Sequence, residues 1–586
     1  MRPMYAWTGI TTVLLLAGNA NLAQQPTNPA IDEIFADLTK PGSPGCALGV
    51  YRDGKIIYAK GYGLANVEEN VPISPQTVFD VGSVSKQFTA ASILLLERQG
   101  KLRLDDDRRK YIPELPDYSR GSQKITILHL LNHTSGLRDY VSLFLLAGIH
   151  YDNVTTDDDA LGIIVRQKGL NFSPGSEWKY TGSGYLLLSL IVKRVSGKTL
   201  KDFATENIFQ PLGMMHSQYR NDHTSLVPNR ALAYEQSENG AFKLSVSYAE
   251  ENGDGMVHTT IEDLQKWDEN FYSGQVGGKD LLAELQERGK LNDGKTLKYA
   301  KGLFIRDYRG LPTIWHAGES AGYLAYLLRF PQQHFSIACL CNGPVSPFQR
   351  AHRLAQVYLG GLMKRGEVDF ATAGPEANSS GGLTPEQLRA WSGNYRNSKN
   401  EDIWRITEKE GTLWLDFEGN RRQLRALSTT EFEPLRYIYE IRLKFEPAHN
   451  ATPRKLVVSK ETEFPVTLNA LEAPRPSTTE LAAYAGDYWS EELRATYQLA
   501  MNDGKLWMKN LIGADGIAHR GIIPSSELRP ILADEFDLNG APLIFHFTRD
   551  ENSNVTGLVL QGFSERGMLF HTRGKNEIRP EASRFF

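Results

Sequence analysis

The stretch Phe79-Asp80-Val81-Gly82-Ser83-Val84-Ser85-Lys86-Gln87-Phe88-Thr89 decides how the rest of this chain is read. A strand-like run, Val78 to Gly82, gives way at Ser83 to a segment rich in Ala, Leu and Gln. That segment continues to Arg98 and stops at Gly100, which predicts a helix over 83–98. Side chains three apart on a helix share a face, so Ser83 and Lys86 are neighbours. A neutral Lys86 amine there can take the Ser83 proton. The N–H groups and positive dipole of a helix start also lie near any carbonyl that Ser83 attacks. The four-letter pattern is weak by itself. Ser176-Glu177-Trp178-Lys179 fits it too, in a turn after Pro174-Gly175, and Ser83 alone also reads as a helix cap with Lys86 facing solvent.

Upstream, two apolar runs between Gly45 and Gly63 flank Arg52-Asp53-Gly54-Lys55, a hairpin signal. Downstream, Thr126 caps a short apolar helix ending at Leu131, Asn132-His133-Thr134-Ser135-Gly136 is a loop, and Tyr185–Val195 is an apolar helix stopped by Gly197. Ile314-Trp315-His316, Tyr323–Leu328 and Phe335–Cys341 read as three strands of an antiparallel segment closing the domain.

At 586 residues the chain predicts several domains. Residues 1–23 read as a signal peptide: Arg2, an apolar run from Ile10 to Ala17, and small residues at Ala20 and Ala23, either of which marks a cleavage site. The run is shorter than the ~20 residues of a spanning helix. The expectation is export to a secreted or periplasmic location, with no stable membrane span after cleavage. Residues 28–366 form the first domain and 367–384, with Asn378-Ser379-Ser380-Gly381-Gly382, a linker. Beyond it Leu388-Arg-Ala-Trp391-Ser-Gly393-Asn-Tyr395 recurs as Leu481-Ala-Ala-Tyr484-Ala-Gly486-Asp-Tyr488, predicting two small β modules over 385–473 and 478–577, barrels or sandwiches by their alternating strands.

The formal net charge of -4, with both signs scattered along the chain, gives no field for collecting nucleic acid. Cys46, Cys339 and Cys341 lack metal-ligand spacing and no His-Glu-x-x-His run occurs, so neither metal nor cofactor is expected. A disulfide from Cys46 to either later cysteine is open. His129, His133 and His258 read as structural.

The run around Ser83 resembles the serine β-lactamase and penicillin-binding-protein family, including class C enzymes, D-aminopeptidases, DD-carboxypeptidases and related esterases. The resemblance spans Ile31 to about Gly361. It implies an antiparallel sheet flanked by helices, with a helical subdomain, and two further motifs. Tyr180-Thr181-Gly182 stands where the family has Tyr-x-Asn, and His316-Ala317-Gly318 where it has Lys/His-x-Gly. The implied roles are Ser83 as acyl-accepting nucleophile, Lys86 and Tyr180 as proton carriers, His316 as a catalytic residue lining the pocket, and Gly182 and Gly318 as substrate-binding positions. Gly318 would let a substrate backbone approach, and the Glu319 N–H would be the second oxyanion donor. Gly182 departs from the family pattern in carrying no amide, for which Thr181 or Ser183 are candidate replacements. The implied substrate is a small molecule or peptide: a D-amino peptide, a β-lactam or an ester. A second reading is a weakened or inactive family member that acts as a binding or scaffold protein.

Overall fold

The computed structural model describes residues 27–572, apart from 119–123, 151, 238, 365–379, 399–401, 418–419, 436–440, 450–451, 461–463, 515, 517, 520–522, 524 and 564. The expected leader, residues 367–379 of the expected linker and the last residues of the second module lie outside the described residues. No helix among the described residues is long and apolar enough to cross a membrane.

Asp53 and Gly54 both take positive φ, 51° and 72°, and so close the predicted hairpin between β1 (Cys46–Arg52) and β2 (Lys55–Tyr62). β3 (Phe304–Tyr308), β4 (Leu311–Ser320), β5 (Tyr323–Phe330) and β6 (Phe335–Cys341) complete a sheet of order β3-β4-β5-β6-β1-β2, antiparallel throughout. Both faces are apolar, as the unbroken burial of β1 and β6 requires. One face packs Trp315, Ala317, Tyr326 and Ile337 against the helices Pro29–Ile34 and Pro347–Leu359. The other packs Ala325, Leu327 and Leu340 into the core built around α1 (Lys86–Arg98), α2 (Ile127–Leu131), α3 (Tyr140–Ala147), α4 (Gly182–Ser196) and α5 (Ile261–Ser273). Cys46 pairs in register with Cys341 and is disulfide-bonded to it, whereas Cys339 remains a buried thiol.

The two repeat modules are closed antiparallel barrels. The first runs from strand Gly393–Asn397 to strand Val466–Leu471, which pair with each other to close eight strands. The second closes in the same way between Gly486–Ser490 and Glu565–Thr572. The repeated aromatic spacing has a structural reason: Tyr395 Oη donates to the Trp391 carbonyl at 2.8 Å, and Tyr488 Oη to that of Tyr484 at 2.9 Å, locking each entry turn onto its first strand.

The first barrel has its own core, but the second shares one contiguous core with the first domain. That docking is anchored by a buried ion pair, Arg138 to Glu492 at 2.6 Å. It is extended by Asn171, which donates to Glu565 at 2.8 Å and accepts from the Arg566 N–H at 3.0 Å.

Candidate active site

Ser83 does not begin the α-helix. Residues Gly82–Ser85 form a 3-10 turn and α1 starts at Lys86, with no side-chain cap at either point, so the cap reading of Ser83 fails. Asp80 holds this turn, accepting from the Gly82 N–H at 2.8 Å through Oδ1 and from Ser320 Oγ at 2.8 Å through Oδ2. Ser85, buried behind it, accepts from the Val257 N–H at 3.0 Å.

Two glycines lock this turn against β4. A Cβ on Gly82, whose φ is +48°, would meet the Glu319 backbone N at 2.6 Å, and a Cβ on Gly318 would meet the Val81 carbonyl O at 1.9 Å and the Ser83 N at 3.0 Å. The backbone of Val81 and Ser83 therefore packs directly on the Cα of Gly318. The consequence is that the N–H groups of Ser83 and Glu319 border one seam beside the Ser83 hydroxyl.

Lys86 is 1% exposed. Its Nζ donates to Ser83 Oγ at 3.0 Å and to the Asp254 carbonyl at 2.6 Å, and it lies 4.8 Å from the Tyr180 ring centroid and 5.6 Å from that of Tyr185. Burial pulls its pKa down to about 8, while the carboxylates of Asp254 and Asp139 act in the opposite sense. Ser176, by contrast, lies in an exposed turn and donates to the Ser173 carbonyl.

The Tyr180 hydroxyl is buried without a hydrogen bond of good geometry among the described residues. Burial raises its pKa above the usual phenol range, and a looser interaction with Ser83 opposes that rise. Its ring packs on His133 with centroids 4.3 Å apart. His133 accepts from the Thr181 N–H at 3.3 Å and is held neutral by burial, with the Lys86 charge acting in the same direction. Its role is to support Tyr180, in keeping with the structural reading.

His316 shares a face with Gly318, as the strand period predicts, while Ala317 packs in the opposite core. Its Nδ1 lies 2.6 Å from the Ala317 carbonyl, which can only accept, so Nδ1 carries the proton and Nε2 accepts from Tyr299 Oη at 3.2 Å. Burial, with Lys86 adding to it, pulls the His316 pKa down to about 3. His316 is thus a neutral wall of the site with both nitrogens engaged, not a proton carrier.

Gly182 is the principal correction. Its N–H donates to Asp139 Oδ1 at 2.5 Å, so it binds the protein rather than a substrate. Neither candidate replacement is free to act: Thr181 Oγ1 donates to Asp139, and Ser183 Oγ donates to the Arg138 carbonyl while accepting from the Tyr140 N–H. A Cβ at 182 would meet Asp254 Oδ2 at 2.6 Å and Asp139 Oδ1 at 3.1 Å. The space beside Gly182 is therefore taken by two carboxylates, and Asp254 is steadied by Tyr140 Oη at 3.2 Å. Sequence reasoning missed Asp139, Tyr140, Asp254 and Tyr299. Only Asp254 had a signal, its place in Gly253-Asp254-Gly255-Met256-Val257.

The profile of the family described as Beta-lactamase matches residues 31–361. The chain is 28% identical over 303 residues to a D-aminopeptidase of Gluconobacter oxydans, covering 52% of this chain and 56% of that one. It is 29% identical over 304 residues to penicillin-binding protein 4* of Bacillus subtilis, covering 49% of this chain and 66% of that one. The matches thus span just over half to just under two thirds of these relatives. Among solved structures, the octameric penicillin-binding protein homologue from Pyrococcus abyssi superposes with a TM-score of 0.53 at 22% identity, over 75% of this chain and 98% of that one, a likeness of fold.

Proposed function

Starting from the fact that this chain belongs to the β-lactamase family, we propose that it is a serine hydrolase that forms an acyl-enzyme on Ser83 and releases it to water. The observation that carries this reading is the buried Lys86 amine, 3.0 Å from Ser83 Oγ and held at a pKa of about 8, where a useful fraction is neutral near physiological pH. Ser83 Oγ forms a bond to a carbonyl carbon and passes its proton to Lys86 Nζ. The N–H groups of Ser83 and Glu319 stabilise the oxyanion. Collapse breaks the C–N or C–O bond, and the leaving group takes a proton relayed through Lys86 and the Tyr180 hydroxyl. Water then attacks the ester on Ser83, restoring the hydroxyl.

The substrates this reading favours are amides or esters of small molecules and short peptides, with D-amino peptides first because a D-aminopeptidase is among the relatives. Export, read from residues 1–23, belongs to the same proposal. The test is turnover of D-alanine p-nitroanilide, p-nitrophenyl acetate and nitrocefin by purified protein. Hydrolysis of at least one, abolished in Ser83→Ala, supports the reading, and equal turnover by both proteins overturns it.

A further inference from the structure

The Asp139 carboxylate joins two helices at the active site. Its Oδ2 caps α3, accepting from the Ser142 N–H at 3.1 Å, while its Oδ1 accepts from the Gly182 N–H at 2.5 Å and from Thr181 Oγ1 at 3.2 Å, at the start of α4. Such a charge is favourable at both helix starts. It also favours the protonated form of Lys86. The position of Asp139 therefore bears on the turn after Tyr180 and on the basicity of the amine that serves Ser83.

The backbone on either side of Asp139 is gripped by one turn of the second barrel, between strands Val555–Gly562 and Glu565–Thr572. The Phe563 carbonyl accepts from Ser142 Oγ at 3.1 Å, and the Gly567 carbonyl from the Arg138 guanidinium at 3.0 Å, although 421 residues separate Ser142 from Phe563. Between these contacts Glu565, 1% exposed, accepts from Asn171 Nδ2 at 2.8 Å, and the Asp139 N–H comes close enough to favour its ionised form. Lys179, beside Tyr180, acts on Glu565 in the same sense and the Asp139 carboxylate in the opposite one. Arg566 donates to the Asn171 carbonyl at 3.3 Å and pairs with Glu177 at 3.5 Å, so the run leading into Tyr180 is held by the same turn. A carboxyl group is costly to bury for packing alone, and its donors here lie on the two segments that carry Asp139 and Tyr180. We propose that the second barrel is a working part of the catalytic centre, with Glu565 the positioning residue that holds Asp139 against the start of α4 and within reach of Lys86. This rests on the acyl-enzyme reading above.

The test follows acylation of Ser83 in the full chain by a fluorophosphonate as a function of pH, with a thermal melt of each variant. Glu565→Ala should slow acylation at least about tenfold, the scale on which small misplacements of supporting groups act. It should also move the midpoint of the profile to lower pH, because a displaced Asp139 no longer supports the protonated amine. Glu565→Gln keeps an acceptor of the same length and should restore both rate and midpoint. Asn171→Ala removes one donor to Glu565 and should shift the midpoint the same way by less, which decides the matter if Glu565→Ala does not fold. Glu491→Ala breaks the exposed pair with Lys168 at the same interface and should change neither quantity. The proposal alone is overturned if wild-type protein is acylated but the midpoint stays fixed in Glu565→Ala and Asn171→Ala, if Glu565→Gln fails to restore it, or if Glu491→Ala shifts it equally. A wild-type protein that is not acylated overturns the hydrolase reading and this proposal with it.

Discussion

Lys86 Nζ is shared between Ser83 Oγ, 3.0 Å away, and the Asp254 carbonyl, 2.6 Å away. Both contacts direct the amine's protons, so the lone pair becomes available toward Ser83 only when one proton leaves. With the Lys86 pKa at about 8, the reactive form is the deprotonated one. Ser83 acylation should therefore rise about tenfold per pH unit below that value and level off above it. A rate profile measured from acid to mildly alkaline pH checks this; a flat profile contradicts it.

Asp254 and Asp139 hold the Lys86 pKa up against burial. Asp254→Asn keeps an acceptor for the Tyr140 hydroxyl but removes one negative charge. The midpoint of the acylation profile should then move to lower pH, because the protonated amine loses a favourable neighbour. An unchanged or raised midpoint would show that the Asp254 carboxylate does not act on Lys86.

Gly182→Asn, which restores the residue type expected from the family pattern, should harm this protein. Its Cβ would land 2.6 Å from Asp254 Oδ2, and overpacking of this kind costs about 1 to 3 kcal/mol. We expect a lower Tm and slower acylation, with partial recovery of both when Asp254→Ala is added. Independent, additive effects in that double-mutant cycle would contradict the account.

These carboxylates also show where the sequence stopped being informative. The hairpin at Asp53-Gly54, the Ser83 to Lys86 pairing and the aromatic repeat of the barrels are local, fixed by turn chemistry and by spacings of three or four residues. Gly182 revealed which side chain was missing but not what filled its place, because Tyr140 and Asp254 meet across 114 residues. The same limit hid a close neighbour of Gly318 within the protein, the Val81 carbonyl. The disulfide partner of Cys46 was undecided between two cysteines on one strand, and only the β1 to β6 register selects Cys341.

Docking of the second barrel should depend on Glu492. Arg138 and Glu492 are each 3% exposed in their side chains, and removing one partner of such a pair costs about 3 to 5 kcal/mol. Glu492→Ala should split a single melting transition into two or lower it sharply, as read by calorimetry. An unchanged melt would place the anchorage elsewhere.

The same interface should respond to pH through Glu565, whose pKa burial raises from 4.5 to about 7. Between those values the folded protein holds a proton that the unfolded chain has lost. Stability contributed by this group is therefore full below about 4.5 and falls as pH rises to about 7. Glu565→Gln should flatten that part of the stability profile measured by denaturant titration; a variant with the wild-type slope would exclude Glu565 as its source.

The central claim is tested most directly by reacting the full chain with a fluorophosphonate and locating the adduct by peptide mass spectrometry. The account predicts one stoichiometric adduct on Ser83, formed faster as pH rises toward 8 and absent in Ser83→Ala. An adduct on any other serine, or none on Ser83 at any pH, would contradict it.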